Sequence, residues 1–465
     1  MTTRFLSALL VLLVVYCPIF AQDEVLYRID RLFSVQFKAG EPGANILIAK
    51  SGKIIYQKAF GMANMELGVP SDTATVYYIA SNTKQFTAVA ILQLVEKRMI
   101  SLDDTLGKFV KSVAPASGIT IRQLLSHTSG LNGNGYRDSL NIPEGKTVQA
   151  ETERYAARNV AFAPGSKWAY NNANFQVLGH IIEKLSGKTY AEYIRENIFV
   201  PAGMNASLVA TSDEPIVKGR ASGYGILRKG IVNYPLHDIS EFFASGGILT
   251  TASDMLRWNR ALVSGKLLPK NLLELAFTPI RLNNGLIAPY GFGWYVDDLR
   301  GSTVLRHGGA VPGFISETFY LPEKDIYIVI LINSESAVIP QVLARIAASE
   351  LLGKPYRFDG GMTMDGKNVG KYAGVYESDR AERVNITEEN GKVYWQRIGG
   401  KKYEVMPFVI DEFYFEKDFL WLEFKRDEKK KITSLVFSRA GYTPSNWKRL
   451  AGPVMHLSET GQEVK

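Results

Sequence analysis

Ser81 and Lys84 stand three residues apart in YIASNTKQFTAVAILQLVEKR, Tyr78 to Arg98. The stretch is apolar at helical spacing, and residues i and i+3 of a helix share a face. The hydroxyl and the amine therefore open onto one space. An ordinary lysine titrates near ~10.4, which leaves about one in 2,500 neutral at pH 7. Desolvation can lower that value by up to ~3–5 units and turn the amine into a base. A neutral lysine beside a serine is one way to activate the hydroxyl as a nucleophile. A helix N-terminus adds oriented backbone N–H groups that can hold a developing oxyanion.

The S-x-x-K pattern alone is weak, because roughly one or two copies arise by chance in a chain of this length. Ser445 and Lys448 form a second copy. It follows Pro444, has no apolar helix after it and lies in a β-rich region, so it reads as a decoy. His127, in LLSHTSGL, reads as part of a hydrogen-bonded turn rather than a base for Ser126 or Ser129. Asn171 and Asn174 read as turn residues. The chain has no G-x-S-x-G elbow, which argues against an α/β-hydrolase triad. Its five histidines are dispersed without metal-ligand spacing, so no zinc site is expected, and nothing in the sequence calls for a cofactor.

The elements that must position these residues fall into blocks. At 465 residues the chain exceeds what one core usually needs, and two domains are expected. The net charge of +8 is scattered. The densest patch, Lys425 to Lys431, includes acids and reads as a solvated hairpin turn, so no nucleic-acid partner is indicated. The first 21 residues, with Arg4, an apolar run and Ala21, read as a secretory signal peptide. Periplasmic or secreted export follows, with membrane contact only through that segment. Cys17, the sole cysteine, lies inside it after Tyr16. That residue is too large for a lipoprotein signal, and the mature chain would make no disulfide.

Residues 22–355 read as one α+β domain. It starts with a helix over 23–39 and two strands around a Ser-Gly turn in Asn45 to Gly61. Helical patches fill 100–275, strands return in Ser302 to Gly309 and Glu317 to Asn333, and a helix spans Ile339 to Gly353. An antiparallel sheet flanked by helices, with a helical subdomain, fits that order. Residues 356–367 read as a linker. Short aromatic runs over 368–450 predict an all-β barrel, with a loose tail at 451–465.

The sequence from Tyr78 to Val110, followed by ITIRQLLSHTSGL, resembles the serine β-lactamase and penicillin-binding-protein family, in particular class C β-lactamases, DD-peptidases and esterases. Tyr170-Asn171-Asn172 matches that family's Tyr-x-Asn, and His307-Gly308-Gly309 matches its Lys/His-x-Gly. SGGILTTASDMLRW, Ser245 to Trp258, is also similar. The resemblance implies an acylated nucleophile at Ser81 and a proton acceptor at Lys84. Tyr170 would protonate the leaving group and activate the deacylating water, and Asn172 would orient Lys84 and bind substrate. The oxyanion hole would be the backbone N–H groups of Ser81 and Ala310, with His307, Gly308 and Gly309 lining the substrate site.

The third motif departs from the Lys-Thr/Ser-Gly of β-lactamases. His307 is mostly neutral at pH 7, and Gly308 has no hydroxyl to grip a carboxylate. This argues against a dedicated β-lactamase. It also leaves Lys84 as the one strong positive neighbour of Tyr170, so the two are expected to share a proton. The His-x-Gly form is similar to esterases and D-amino-acid peptidases. The resemblance thus implies a serine hydrolase acting through an acyl-enzyme on a small-molecule or peptide ester or amide, with cell-wall peptides among the candidates. A slow-deacylating penicillin-binding sensor or DD-peptidase is the alternative, and a β-lactamase a second one. The C-terminal region looks like the lipocalin-like barrel appended to some relatives. Its aromatics Tyr394, Trp395, Phe413, Tyr414, Phe415 and Trp421 read as barrel core.

Overall fold

A computed structural model describes residues 23–110, 116–132, 159–211, 216–227, 230–234, 242–335, 339–355, 369–378, 381–398, 400–409, 411–415, 420–439, 445–452 and 455. The proposed signal segment and linker lie outside these. The chain divides into two compact units, Met1–Leu352 and Gly353–Lys465. Among the described residues no helix is long and apolar enough to cross a membrane.

The first unit is built on a six-stranded antiparallel sheet. Its strands are β1 (Ala44–Lys50), β2 (Lys53–Phe60), β3 (Tyr295–Leu299), β4 (Ser302–Val311), β5 (Phe314–Leu321) and β6 (Ile326–Ile332), in the spatial order β3-β4-β5-β6-β1-β2. Ser51 and Gly52 join β1 to β2 with φ of 51° and 73°. Two left-handed residues make the kind of tight turn whose twist matches that of a hairpin. Pro322, which has no N–H for the ladder, separates β5 from β6 in a 3₁₀ turn, Pro322–Lys324. Every residue of β6 is buried. Tyr327, Val329 and Leu331 join the core that also holds Trp258, and the alternate isoleucines are buried as well. The strand is therefore covered on both faces, as its unbroken apolar run predicts.

Residues 23–34 form helix α1. Helix α2 (Thr83–Glu96) runs through the core, and helix α3 (Asn172–Ser186) packs on it. Helix α4 (Ala252–Val263) lies on β6 and β1, and helix α5 (Pro340–Leu351) on β5 and β6. Every residue of α2 from Thr83 to Leu94 is buried, so this helix has no solvent face. Phe86 stacks on Trp258 with ring centroids 4.0 Å apart. The polar residues of α2 are paired, as burial demands. Gln85 donates to Thr318, Thr87 to the Ala244 carbonyl and Gln93 to the Leu267 carbonyl.

The second unit is a closed barrel of eight strands. These are β7 (Gly374–Ser378), β8 (Arg383–Glu389), β9 (Lys392–Arg397), β10 (Lys402–Val409), β11 (Glu412–Phe415), β12 (Leu420–Arg426), β13 (Ile432–Arg439) and β14 (Ser445–Arg449). Closure leaves no unpaired edge. Tyr376, Trp395, Phe413, Phe424 and Trp447 fill the interior, and Phe415 packs against them. Of the aromatics read as core, Tyr394 and Trp421 are only half-buried, whereas Tyr414 is buried but outside the interior cluster. Tyr394, Tyr414 and Trp421 neighbour inward residues along their strands, and strand alternation turns them to the other face. Tyr414 stacks on Trp421 there. The decoy Ser445 and Lys448 lie on β14, where residues three apart face opposite sides. The Ser445 hydroxyl accepts from the Trp447 indole at 2.7 Å.

Candidate active site

Ser81 sits in a 3₁₀ turn, Ala80–Asn82, that leads into α2 rather than in the helix itself. Ala80, just before it, is held at φ 49°, a left-handed conformation costly for a residue with a Cβ. The turn brings Ser81 to a cavity of about 260 Å³ lined also by Tyr170, Asn172, Phe242, Ser245, Gly246, Ala310 and Val311.

Lys84 is fully buried. Its Nζ lies 2.8 Å from Asn172 Oδ1, 2.7 Å from the Ser245 carbonyl and 3.1 Å from Ser81 Oγ. The two carbonyl oxygens can only accept, so each takes one N–H. The third tetrahedral direction faces Ser81. In the ammonium that direction carries a proton; in the neutral amine it carries the lone pair, which can take the Ser81 proton. Burial pushes the Lys84 pKa well below its ordinary value, toward the form that acts as a base.

Tyr170 immediately precedes the cap of α3. The Asn171 side chain accepts from the Ala173 N–H at 3.0 Å. That cap sets Asn172 as the first helical residue, which aims its amide at Lys84. The Lys84 ammonium position lies 4.9 Å from the centre of the Tyr170 ring. Burial raises the Tyr170 pKa well above that of free tyrosine; Tyr295 adds to this and the Ser81 hydroxyl opposes it. Burial thus drives the two groups in opposite directions, each toward its neutral form. The resting arrangement this favours is an amine beside Ser81 and a phenol ready to give a proton.

The third motif lies on β4. A Cβ at Gly309 would stand 2.2 Å from the Ile79 carbonyl, 2.6 Å from Ser316 Oγ and 2.9 Å from the Ser81 nitrogen. Glycine there lets β4 press on the Ser81 turn and brings Ala310 to the cavity. A polar clasp holds the contact. Asn82 donates to Ser316 Oγ at 2.9 Å, Ser316 to the Ile79 carbonyl at 2.7 Å, and Thr318 to Asn82 Oδ1 at 2.6 Å.

His307 and Gly308 correct the expectation of substrate contacts from this motif. His307 is buried and both ring nitrogens are occupied. Nδ1 donates to the Gly308 carbonyl at 2.7 Å, which leaves Nε2 to accept from the Tyr290 hydroxyl at 2.9 Å. Burial, with Lys84 nearby, lowers its pKa to about 3. Gly308 faces Glu317, whose Oε2 would lie 2.7 Å from a Cβ there. Neither residue lines the cavity, and nor does Gly309.

Sequence reasoning missed four parts of the site. The Ser245 carbonyl is main chain, and no side-chain pattern announces it. Asn82 acts through the clasp. Asn174, read as a turn residue, is buried inside α3, where its Oδ1 accepts from Ser129 at 2.7 Å. His127, also read as a turn residue, packs its ring 4.4 Å from that of Tyr170. Among the described residues no group of three or more histidine, cysteine or acidic side chains could hold a metal ion.

A serine hydroxyl, a desolvated amine aimed at it and a phenol beside both make the catalytic equipment of a serine hydrolase. The beta-lactamase family matches residues 29–351, and the chain belongs to that family. A penicillin-binding protein of Bacillus subtilis is 28% identical over 440 residues, spanning 88% of this chain and 96% of the relative. A D-aminopeptidase of Gluconobacter oxydans is 26% identical over 328 residues, spanning 68% and 60%. Among solved structures, the octameric penicillin-binding protein homologue from Pyrococcus abyssi is similar over 92% of this chain and 99% of its own, with a TM-score of 0.64 and 26% identity. The D-amino acid amidase from Ochrobactrum anthropi shares the fold, with a TM-score of 0.62 at 21% identity over 71% of this chain and 99% of its own.

Proposed function

We propose that the protein is an exported hydrolase that forms an acyl-enzyme at Ser81 and releases a D-aminoacyl or related group from an ester or amide. The observation that carries this reading is the three-way environment of Lys84 Nζ, with two acceptor-only carbonyls and Ser81 Oγ. In acylation, Lys84 takes the Ser81 proton as Oγ attacks the carbonyl carbon. The N–H groups of Ser81 and Ala310 hold the oxyanion. Tyr170 gives its proton to the leaving oxygen or nitrogen, and Lys84 restores it. In deacylation a water gives its proton to the same pair and attacks the ester carbonyl, and Oγ leaves with a proton.

The substrate class follows from charge. The described side chains lining the cavity are neutral, and His307, at the place of the family's lysine, is buried and engaged with Tyr290. No described side chain lining the cavity carries a positive charge to pair with a carboxylate, which disfavours penicillins. The D-aminopeptidase relatives support an acyl group without one. Export rests on the apolar N-terminal segment, Phe5 to Phe20.

The test is intact mass against time, with p-nitrophenyl acetate in one reaction and benzylpenicillin in another, each beside Ser81→Ala. A transient adduct with continued ester turnover, lost in the variant, is the expected result. A long-lived penicillin adduct would replace this reading with a slow-deacylating penicillin-binding protein. No adduct with either probe would overturn the assignment of Ser81.

A further inference from the structure

We infer that His127 is a positioning residue for Tyr170, clamping the chain on both sides of it. This rests on the reading of Tyr170 as the proton carrier. The Ala169 N–H donates to the His127 carbonyl at 3.0 Å, and the Asn171 N–H donates to His127 Nδ1 at 3.2 Å. The residues immediately before and after Tyr170 are thus tied to one residue, by its main chain and by its ring. Between those ties the two rings pack with centroids 4.4 Å apart and planes inclined by 39°. The phenol can neither slide along the chain nor turn away from Lys84 without breaking one of these contacts.

The clamp is itself held. The Asn174 side-chain amide lies 3.2 Å from the same Nδ1. Nδ1 accepts from the Asn171 N–H, so the ring proton sits on Nε2. Asn174 Oδ1 is fixed by Ser129, and the Asn171 side chain donates to the Leu131 carbonyl at 2.7 Å. The LLSHTSGL turn therefore grips the chain from Ala169 to Asn174 through His127, Ser129 and Leu131. His127 holds φ 59°, which is uncommon outside glycine, asparagine and aspartate. Its Nε2 is buried with no hydrogen-bond partner among the described residues. The left-handed backbone suits the turn, and it is the turn that carries the ring to the Tyr170 segment, where Nδ1 meets the Asn171 N–H.

The test separates ring packing from the Nδ1 tie. His127→Phe keeps a ring but loses the acceptor. His127→Asn loses the ring but places Oδ1 near the position of Nδ1, and asparagine tolerates a left-handed φ. Both are compared with wild type and Tyr170→Phe on D-alanine p-nitroanilide, whose amine must be protonated to leave, and on the acylation burst with p-nitrophenyl acetate, whose phenolate leaves unaided. The expected result for His127→Phe is an anilide kcat down by about 10²-fold, the scale of general acid catalysis, with KM within about threefold. Its ester burst should fall less than about fivefold, and His127→Asn should recover most of the anilide rate.

Equal losses on both substrates, or no recovery in His127→Asn, would make the role merely structural and overturn the inference. Loss in Tyr170→Phe with none in His127→Phe would overturn the inference and leave the reading of Tyr170 standing. Full anilide turnover in Tyr170→Phe, or wild type inert to both substrates, would overturn that reading and the inference with it.

Discussion

The carbonyl of Ile79 occupies the space that a side chain at Gly309 would need, at 2.2 Å from an ideal Cβ. Ile79 leads into the Ser81 turn, and Gly309 precedes Ala310. The approach of these two residues therefore sets the spacing of the proposed oxyanion donors. Gly309→Ala must push β4 away from the turn, because the obstructing atom is backbone and cannot rotate aside. Misplacing one oxyanion donor costs on the order of 10²–10³ in rate. The expected outcome is a loss of that size in the rate at which a fluorophosphonate labels Ser81. Circular dichroism should show the fold retained.

Lys84 makes a prediction about stability as well as rate. Its folded pKa lies well below the ordinary lysine value because it is buried. Between the folded value and ~10.4 the unfolded chain binds the extra proton, so stability rises with pH across that window. Lys84→Met removes the linkage along with the base. Acylation should be abolished. The stability of the variant relative to wild type should be most favourable at low pH, and its advantage should shrink as pH approaches 10. Chemical denaturation at several pH values measures this; a difference that stays constant with pH would contradict it.

The legible and illegible parts of the site differ in kind. The approach of Ser81 to Lys84 was legible because a three-residue spacing puts side chains on one face in the 3₁₀ turn that holds Ser81 as well as in a helix, and the apolar residues around them announced burial. The sheet, α5 and the barrel were legible from periodicity and turn chemistry, as at Ser51-Gly52. The Ser245 carbonyl was not, since any residue type supplies one. His307 was misplaced because its motif suggests exposure to substrate, whereas the Tyr290 hydroxyl, 17 residues away in sequence, takes its ring inward. The burial of His127 depends on a contact with a segment more than 40 residues distant, and local pattern carries no trace of that.

His307 therefore should not set the pH dependence of the reaction. Its pKa of about 3 keeps the ring neutral throughout the working range, and its role is to accept from Tyr290. His307→Gln offers a carbonyl oxygen near Nε2 and should retain most activity, with the acid limb of kcat/KM unmoved. His307→Ala leaves the buried Tyr290 hydroxyl without its acceptor, a loss of about 1–3 kcal/mol in stability. A pH–rate profile for each variant, with a melting curve beside it, checks both. An acid limb that shifts in His307→Gln would show that the ring titrates during turnover.

Glu317 presents the opposite linkage to Lys84. It faces Gly308 across the β4–β5 ladder, and burial raises its pKa to about 7 against the pull of Arg306. Arg306 lies 3.7 Å from it and also pairs with Asp297; Arg345 adds a weaker attraction. From ~4.3 to about 7 the native state holds a proton that the unfolded chain has released, so stability falls as pH rises through that interval. Glu317→Gln should abolish the fall, giving a variant that gains on wild type at pH 8 and not at pH 4. The same carboxylate blocks position 308, where a Cβ would meet Oε2 at 2.7 Å. Gly308→Ala must therefore disturb a buried ion pair, at about 1–3 kcal/mol. In a Glu317→Ala background the space is free, and the substitution at 308 should cost less. A double-mutant cycle by denaturant titration measures the difference; additive effects would mean that Glu317 does not occupy the space beside Gly308.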